Sequence, residues 1–94
     1  LCSNDRLAIG MLSAAYELGL RVGHGKDCAM RIAGQDDHPF SRYTCPPLTT
    51  IAQDYGAIAN RAASTLFRII ESETRLTERE ETLFDGKLVM RASA

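Results

Sequence analysis

The chain has 94 residues, 45% hydrophobic and 24% charged, with a formal net charge of −1. That length admits one domain with a limited core. The near-neutral balance argues against this chain neutralising nucleic-acid phosphates itself, which takes a basic face.

No apolar run is long enough to span a bilayer. Charge begins at Asp5 and Arg6, so no signal peptide is visible either. Leu1 and Cys2 read as the end of a strand whose earlier part is absent. Asn4 or Asp5 then caps a helix of about 14 residues, with Leu7, Met11, Ala14, Ala15 and Leu18 at helical spacing. Gly19 suits a left-handed end to that helix, with Leu20 packing back. Gly23-His24-Gly25-Lys26-Asp27 is a turn-rich loop. It resembles a phosphate loop only superficially, because Asp27 stands where Ser or Thr is required.

Residues 28–33 predict a short buried strand interrupted by Arg31. Gly34-Gln35-Asp36-Asp37 forms the loop at its C-terminal end, where open α/β sheets bind ligands. Residues 38–43 suggest a short helix or turn. Pro46 and Pro47 exclude a helix, and the β-branched Thr49, Thr50 and Ile51 favour a strand. The strongest periodic element runs over 54–72, with Ile58, Ala62, Leu66, Ile69 and Ile70 on one face and Arg61 and Arg68 off it. Residues 73–82 read as a mobile polar loop. Asp85-Gly86 precedes a strand at 88–90. The order strand, helix, strand, strand, helix, strand predicts an α/β fold, a mainly parallel sheet with flanking helices.

Cys2, Cys28 and Cys45 are far apart and include no C-x-x-C pair. Free thiols in a reducing cytosol fit better than a zinc site or a disulfide framework. Adjacent Asp36 and Asp37 point apart on extended chain, which disfavours a metal site with His38. No nucleophile elbow or cofactor loop supports an enzyme, so no catalytic residue, cofactor or metal is assigned. Asn4 and Asp36 each end a predicted parallel strand and face one crevice. An amide with donors and an acceptor beside an accepting carboxylate suits two neighbouring sugar hydroxyls. The plain alternative is that Asn4 caps the helix and Asp36 a turn. Gln53 and Tyr55, alternate residues of extended chain, share a face where a ring stacks on a sugar and an amide fixes its hydroxyls. Otherwise Tyr55 is core and Gln53 faces solvent.

Four motifs occur in order: Asn4-Asp5-x-x-Ala8-x-Gly10, Gly34-x-Asp36-Asp37, Pro46-Pro47-Leu48-Thr49-Thr50-Ile51-x-Gln53 and Leu88-Val89-Met90-Arg91. Together they resemble the C-terminal part of the lac repressor/galactose repressor (LacI-type) family of transcription regulators, over essentially the whole chain. The resemblance implies a fragment of a periplasmic-binding-protein-like, Rossmann-like fold. Residues 1–94 would be the C-terminal portion of the effector-binding domain, with the helix-turn-helix head and most of the first lobe absent. It implies a small effector such as a sugar between two lobes, with Asn4, Asp36, Gln53 and Tyr55 lining the pocket. Operator DNA would be bound only through the missing N-terminal domain. It also implies a cytoplasmic homodimer, not a membrane protein, joined by the outer face of the first helix and the segment after Asp37, through Ile9, Leu12, Phe40 and Tyr43. The family's helix after the Pro-Pro strand packs on the first lobe. A periplasmic sugar-binding component of a transporter shares the fold and is the alternative reading. Such a component usually lacks free thiols, and the Pro-Pro-Leu-Thr-Thr-Ile-x-Gln stretch is typical of the regulators.

Overall fold

The first helix begins where its capping residue places it. The structure, a computed structural model, describes residues 1–72 and 80–94. Most of the predicted polar loop therefore lies outside the described residues. Asn4 is extended (φ −156°), and its Oδ1 accepts from the backbone N–H of Leu7 at 2.9 Å, opening α1 (Asp5–Glu17). This satisfies one of the donors that a first turn leaves unpaired. At the other end Gly19 sits at φ 69°, the left-handed region that a residue with no Cβ enters freely. Its N–H bonds Tyr16 O at 3.0 Å and the next N–H, of Leu20, bonds Ala15 O at 2.8 Å, which is the paired Schellman closure.

The face α1 buries differs from the one its apolar spacing suggested. Ala8, Leu12 and Ala15 are buried, whereas Leu7, Met11 and Leu18 are exposed. The buried stripe is rotated by about one residue because its first member is polar. Asp5 lies three positions before Ala8 on the same face and is itself buried. Its Oδ2 accepts from Ser41 Oγ at 2.5 Å and from the backbone N–H of His38 at 2.8 Å, and its Oδ1 from Thr50 Oγ1 at 2.6 Å. Hydrogen bonds to an ionised group contribute about 1.5–3 kcal/mol each, so three together offset the cost of taking a carboxylate out of water.

Around this centre lies a small core of Ala8, Leu12, Ile32 and Leu48, with Cys2, Ile9, Val22 and Met30 packed against it. The extended segments are joined side by side. Cys2 N–H donates to Ala33 O and Asp5 N–H to Gln35 O, both at 2.8 Å. Residues Ala33 and Asp36 form parallel bridges with Thr49 and Ala52. β1 (Thr50–Ala52) then pairs antiparallel with β2 (Lys87–Val89), Ile51 opposite Leu88. The neighbouring segments from 1 to 52 therefore run parallel, as the sequence predicts. The one regular ladder among the described residues is antiparallel, because the chain returns along the edge at 87–89.

Residues 28–33 are not a buried run: Ile32 is buried, Arg31 and Ala29 are exposed, and the rest are half-buried. A single 3-10 turn, η1 (Ser41–Tyr43), fills the expected short element. The closing segment is tied in by Ser93, whose Oγ donates to Ile32 O at 2.6 Å and accepts from Thr49 N–H at 2.8 Å.

Leu1–Gln53 and Gly86–Ala94 form one compact unit; Asp54–Asp85 forms a second. In the second, Asp54 Oδ1 accepts from Ala57 N–H at 2.9 Å and opens α2 (Tyr55–Ser72). The predicted apolar stripe is present, but α2 buries none of it: Leu66 is 57% and Ile70 61% exposed. Off the stripe, Arg68 bonds both carboxylate oxygens of Glu80 at 3.3 and 3.1 Å, with Arg61 at 3.9 Å from the second.

Three stability predictions concern α1 and its surroundings. Asp5→Ala strands three donors, two of them buried, and is expected to cost at least about 3 kcal/mol in urea unfolding. Gly34→Ala is expected to cost about 1–3 kcal/mol, because its Cβ would run into Asp5 Oδ1 and lie 3.2 Å from Ala8 Cβ. Asn4→Ala is expected to lose about 1 kcal/mol while Asn4→Ser, which keeps a capping oxygen, stays close to the parent. Equal losses for Asn4→Ala and Asn4→Ser would contradict the capping role.

Candidate functional site

Three of the four residues expected to contact a ligand stand at the same end of neighbouring segments. Asn4 immediately precedes the donor, and Asp36 immediately follows the acceptor, of the 2.8 Å bond from Asp5 N–H to Gln35 O. Asp36 in turn bridges Ala52, the residue before Gln53. Asn4, Asp36 and Gln53 are all half-buried, neither sealed in the core nor fully in water. Asn4 spends its Oδ1 on the helix cap, so the plain reading and the ligand reading share this side chain: the amide NH2 has two donors that the cap does not use.

The backbone at this rim is unusual. Asp36 has φ 112° and Asp37 φ 51°, two successive non-glycine residues in a region that L side chains rarely enter. Such residues cost on the order of 1–3 kcal/mol each and persist only where their surroundings hold them. Here Asp36 N–H donates to Ile51 O at 2.8 Å and Asp37 N–H to Thr50 Oγ1 at 3.2 Å. Thr50 Oγ1 passes its own hydrogen to Asp5, so the loop leans on the same buried carboxylate that starts α1. The two adjacent carboxylates are divided in role, since Asp37 Oδ1 is engaged by Arg91 Nη2 at 2.7 Å.

Tyr55 is not placed as expected. Shared orientation with Gln53 assumed extended chain through both, but Tyr55 is the first residue of α2 and belongs to the second unit. The period-two argument ends at Asp54, which caps that helix.

The residues expected at a dimer interface also divide. Phe40 and Tyr43 are 67% and 76% exposed, and Ile9 is half-buried. Leu12 is 7% exposed and belongs to the core cluster, so it is corrected from a surface residue to a packing one. The cause is again the rotated face of α1.

Two residues of structural weight were missed in the sequence. Asp5 looked like a second capping candidate; what separates it from Asn4 is the pair of hydroxyl donors at Ser41 and Thr50. Arg91 stood in a recognised motif without a role. Among the described residues, no group of three or more His, Cys, Asp or Glu side chains is disposed to hold a metal ion. An open hollow lined by Leu12, Tyr16, Leu20, Arg21, Val22, Cys45 and Pro46 lies at the far end of α1 from Asn4 and is separate from the rim. Cys2 and Cys28 are half-buried free thiols, and Cys45 is exposed.

Comparison with known proteins gives this geometry its context. The family model described as "Periplasmic binding protein-like domain" matches residues 1–94. The chain is 38% identical over 93 residues to the lactose operon repressor of Klebsiella pneumoniae, covering 98% of this chain and 24% of that protein. It is 38% identical over 92 residues to the HTH-type transcriptional repressor PurR of Pasteurella multocida, with 98% and 26% coverage. Among solved structures, the lac repressor bound to ONPG superposes with a TM-score of 0.76 at 32% identity, covering 98% of this chain and 26% of that one. A LacI family transcriptional regulator from an Arthrobacter species, in complex with lactose, gives 0.74 at 29% identity, with 97% and 32% coverage. The chain thus spans about a quarter of the length of the curated relatives it matches. It belongs to the periplasmic binding protein-like domain family, in the form found in LacI-family transcriptional regulators.

Proposed function

We propose that this chain is the C-terminal portion of the effector-binding domain of a cytoplasmic DNA-binding transcription regulator. In this reading it senses a small sugar-like ligand and takes part in a homodimer. The observation that carries the reading is the rim of Asn4, Asp36 and Gln53 at one end of three adjoining segments. The relatives cited are regulators, which favours this over the transporter component. Operator contact falls to a separate N-terminal segment, in keeping with the chain's net charge of −1.

The chemistry of the rim fits vicinal hydroxyls. The carboxylate of Asp36 accepts from a hydroxyl, and a bond to an ionised acceptor is stronger than one to a neutral acceptor. The NH2 of Asn4 donates to a neighbouring oxygen, and Gln53 adds a second amide. Tyr55, at the first turn of α2, is the fourth candidate and is tested by its own substitution. Dimer contacts in this reading fall on Phe40 and Tyr43, with Ile9 beside them. The open stripe of α2 is assigned to the remaining part of the same regulator.

The decisive experiment uses the full-length protein, DNA from upstream of its own coding sequence, and lactose, sucrose and glucose, with adenine as a non-sugar comparison. One of the sugars is expected to change DNA affinity. Asp36→Asn is expected to weaken that sugar about tenfold or more while DNA binding without ligand is retained. Asn4→Ser, which keeps the cap, is expected to weaken the sugar with little loss of stability. A response to adenine alone, or an Asp36→Asn protein that responds like the parent, would sink the sugar reading.

A second measurement concerns α2. Leu66→Glu is expected to lower the melting temperature of the full-length regulator, where the stripe is covered, because it buries a charge. In the 94-residue piece the same change is expected to stay within about 0.5 kcal/mol of the parent. Equal, negligible effects in both would show the stripe to be uncovered.

A further inference from the structure

The geometry points to Arg91 as a positioning residue for the rim, holding the Asp36 carboxylate on its bearing through Asp37; this rests on the reading of Asp36 as an effector contact. Two consecutive residues at φ 112° and 51° do not hold such a backbone by themselves. Two main-chain donors anchor them from β1, at Ile51 O and Thr50 Oγ1. A further anchor, among the described residues, comes from the closing segment of the chain. Arg91 Nη2 donates to Asp37 Oδ1 at 2.7 Å, while Nη1 donates to Leu48 O at 2.9 Å.

The guanidinium therefore spans two places at once, the carbonyl just before β1 and the loop that carries Asp36. Its planar fork fixes their separation, which an ammonium on a flexible stem does not. The pair is also shielded: the side chains of Arg91 and Asp37 are 14% and 27% exposed. Water and salt screen it less than an ordinary surface pair. Arg91 is held at its own backbone as well, its N–H donating to Thr49 Oγ1 at 2.8 Å. Nothing in this arrangement requires Arg91 to touch ligand. Its charge is spent on Asp37.

The test uses the full-length protein with Arg91→Gln, Arg91→Lys, Asp37→Asn and the double variant Arg91→Gln/Asp37→Asn. Amide exchange is read at residues 36 and 37 against α1, and affinity is read with lactose, sucrose and glucose. Arg91→Gln is expected to speed exchange at 36 and 37, leave α1 protected, and weaken the bound sugar about tenfold or more. Asp37→Asn is expected to do the same, and the double variant to be no worse than either single change, because both remove one interaction. Arg91→Lys keeps the charge without the fork and is expected to recover stability more than affinity. Effects that multiply in the double variant would overturn the proposal. So would a loss of melting temperature with affinity and exchange at 36 and 37 unchanged. Should Arg91→Gln fail to fold, Asp37→Asn alone decides, since it removes the carboxylate charge at constant shape and leaves Arg91 only a neutral acceptor. Should none of the three sugars bind, the sugar reading fails and exchange alone judges the positioning role, with unchanged protection at 36 and 37 refuting it.

Discussion

The fold of the larger unit depends on one buried carboxylate. Asp5 draws a hydroxyl from η1, a hydroxyl from β1 and a main-chain N–H from His38, just before η1. Its own N–H meanwhile joins α1 to the strand-like segment at Gln35. An unpaired charge in that position would be prohibitive, and a pair of apolar substitutes would leave three donors stranded. The arrangement is therefore all or nothing, which makes it a specifier of register as much as a source of stability. Gly34 completes it, because the chain must pass so close to Asp5 that no Cβ fits.

That centre explains how a small piece of chain holds a precise rim. The core has few large side chains, Leu12, Ile32 and Leu48 chief among them, and a domain of this size buries too little apolar surface to rely on packing alone. Polar ties make up the difference. Ser93 joins the closing segment to Ile32 and Thr49, and Thr49 Oγ1 engages Arg91. Thr50 links Asp37 to Asp5. The residues at φ > 0 sit where these ties converge, so the strain at 36 and 37 is held by interactions stronger than itself. α2, by contrast, buries none of its side chains and leaves a stripe of Leu66 and Ile70 open.

How legible this was in the sequence follows from the range of each interaction. Local signals read well. Asn4 capped α1, Gly19 with Leu20 ended it, and the Pro-Pro pair was followed by a strand. These features depend on neighbours within a few residues. Long-range polar contacts did not read. Asp5 meets partners 33 to 45 residues away, and nothing in the local pattern told it apart from a cap. Because hydrophobic periodicity counts only apolar residues, it then set the face of α1 one position off, and Leu12 with it. The argument that put Tyr55 on one face with Gln53 failed for a related reason: alternation holds only while chain stays extended, and the cap at Asp54 ended it one residue too soon. The rim itself was half legible. Asn4, Asp36 and Gln53 were named from order and chemistry, while the φ values that shape the loop come from Thr50 and Arg91, distant in sequence.

A rim built this way constrains how a regulator of this kind responds to its ligand. A ligand shifts an equilibrium only by the difference in its affinity for the two states. Asn4 starts a helix that is locked to Asp5, and Asp36 sits on a loop held from β1 and from Arg91. On the proposed reading both groups are held by contacts within this unit, so little binding energy is spent ordering them. Uniform contacts of that sort supply affinity and choice of ligand, not a switch. The discrimination between states has to come from groups whose distance to this rim changes, and those lie on other parts of the regulator. If the proposed reading holds, variants at Asn4 and Asp36 alter how tightly ligand is held, whereas variants beyond this unit alter what holding it accomplishes.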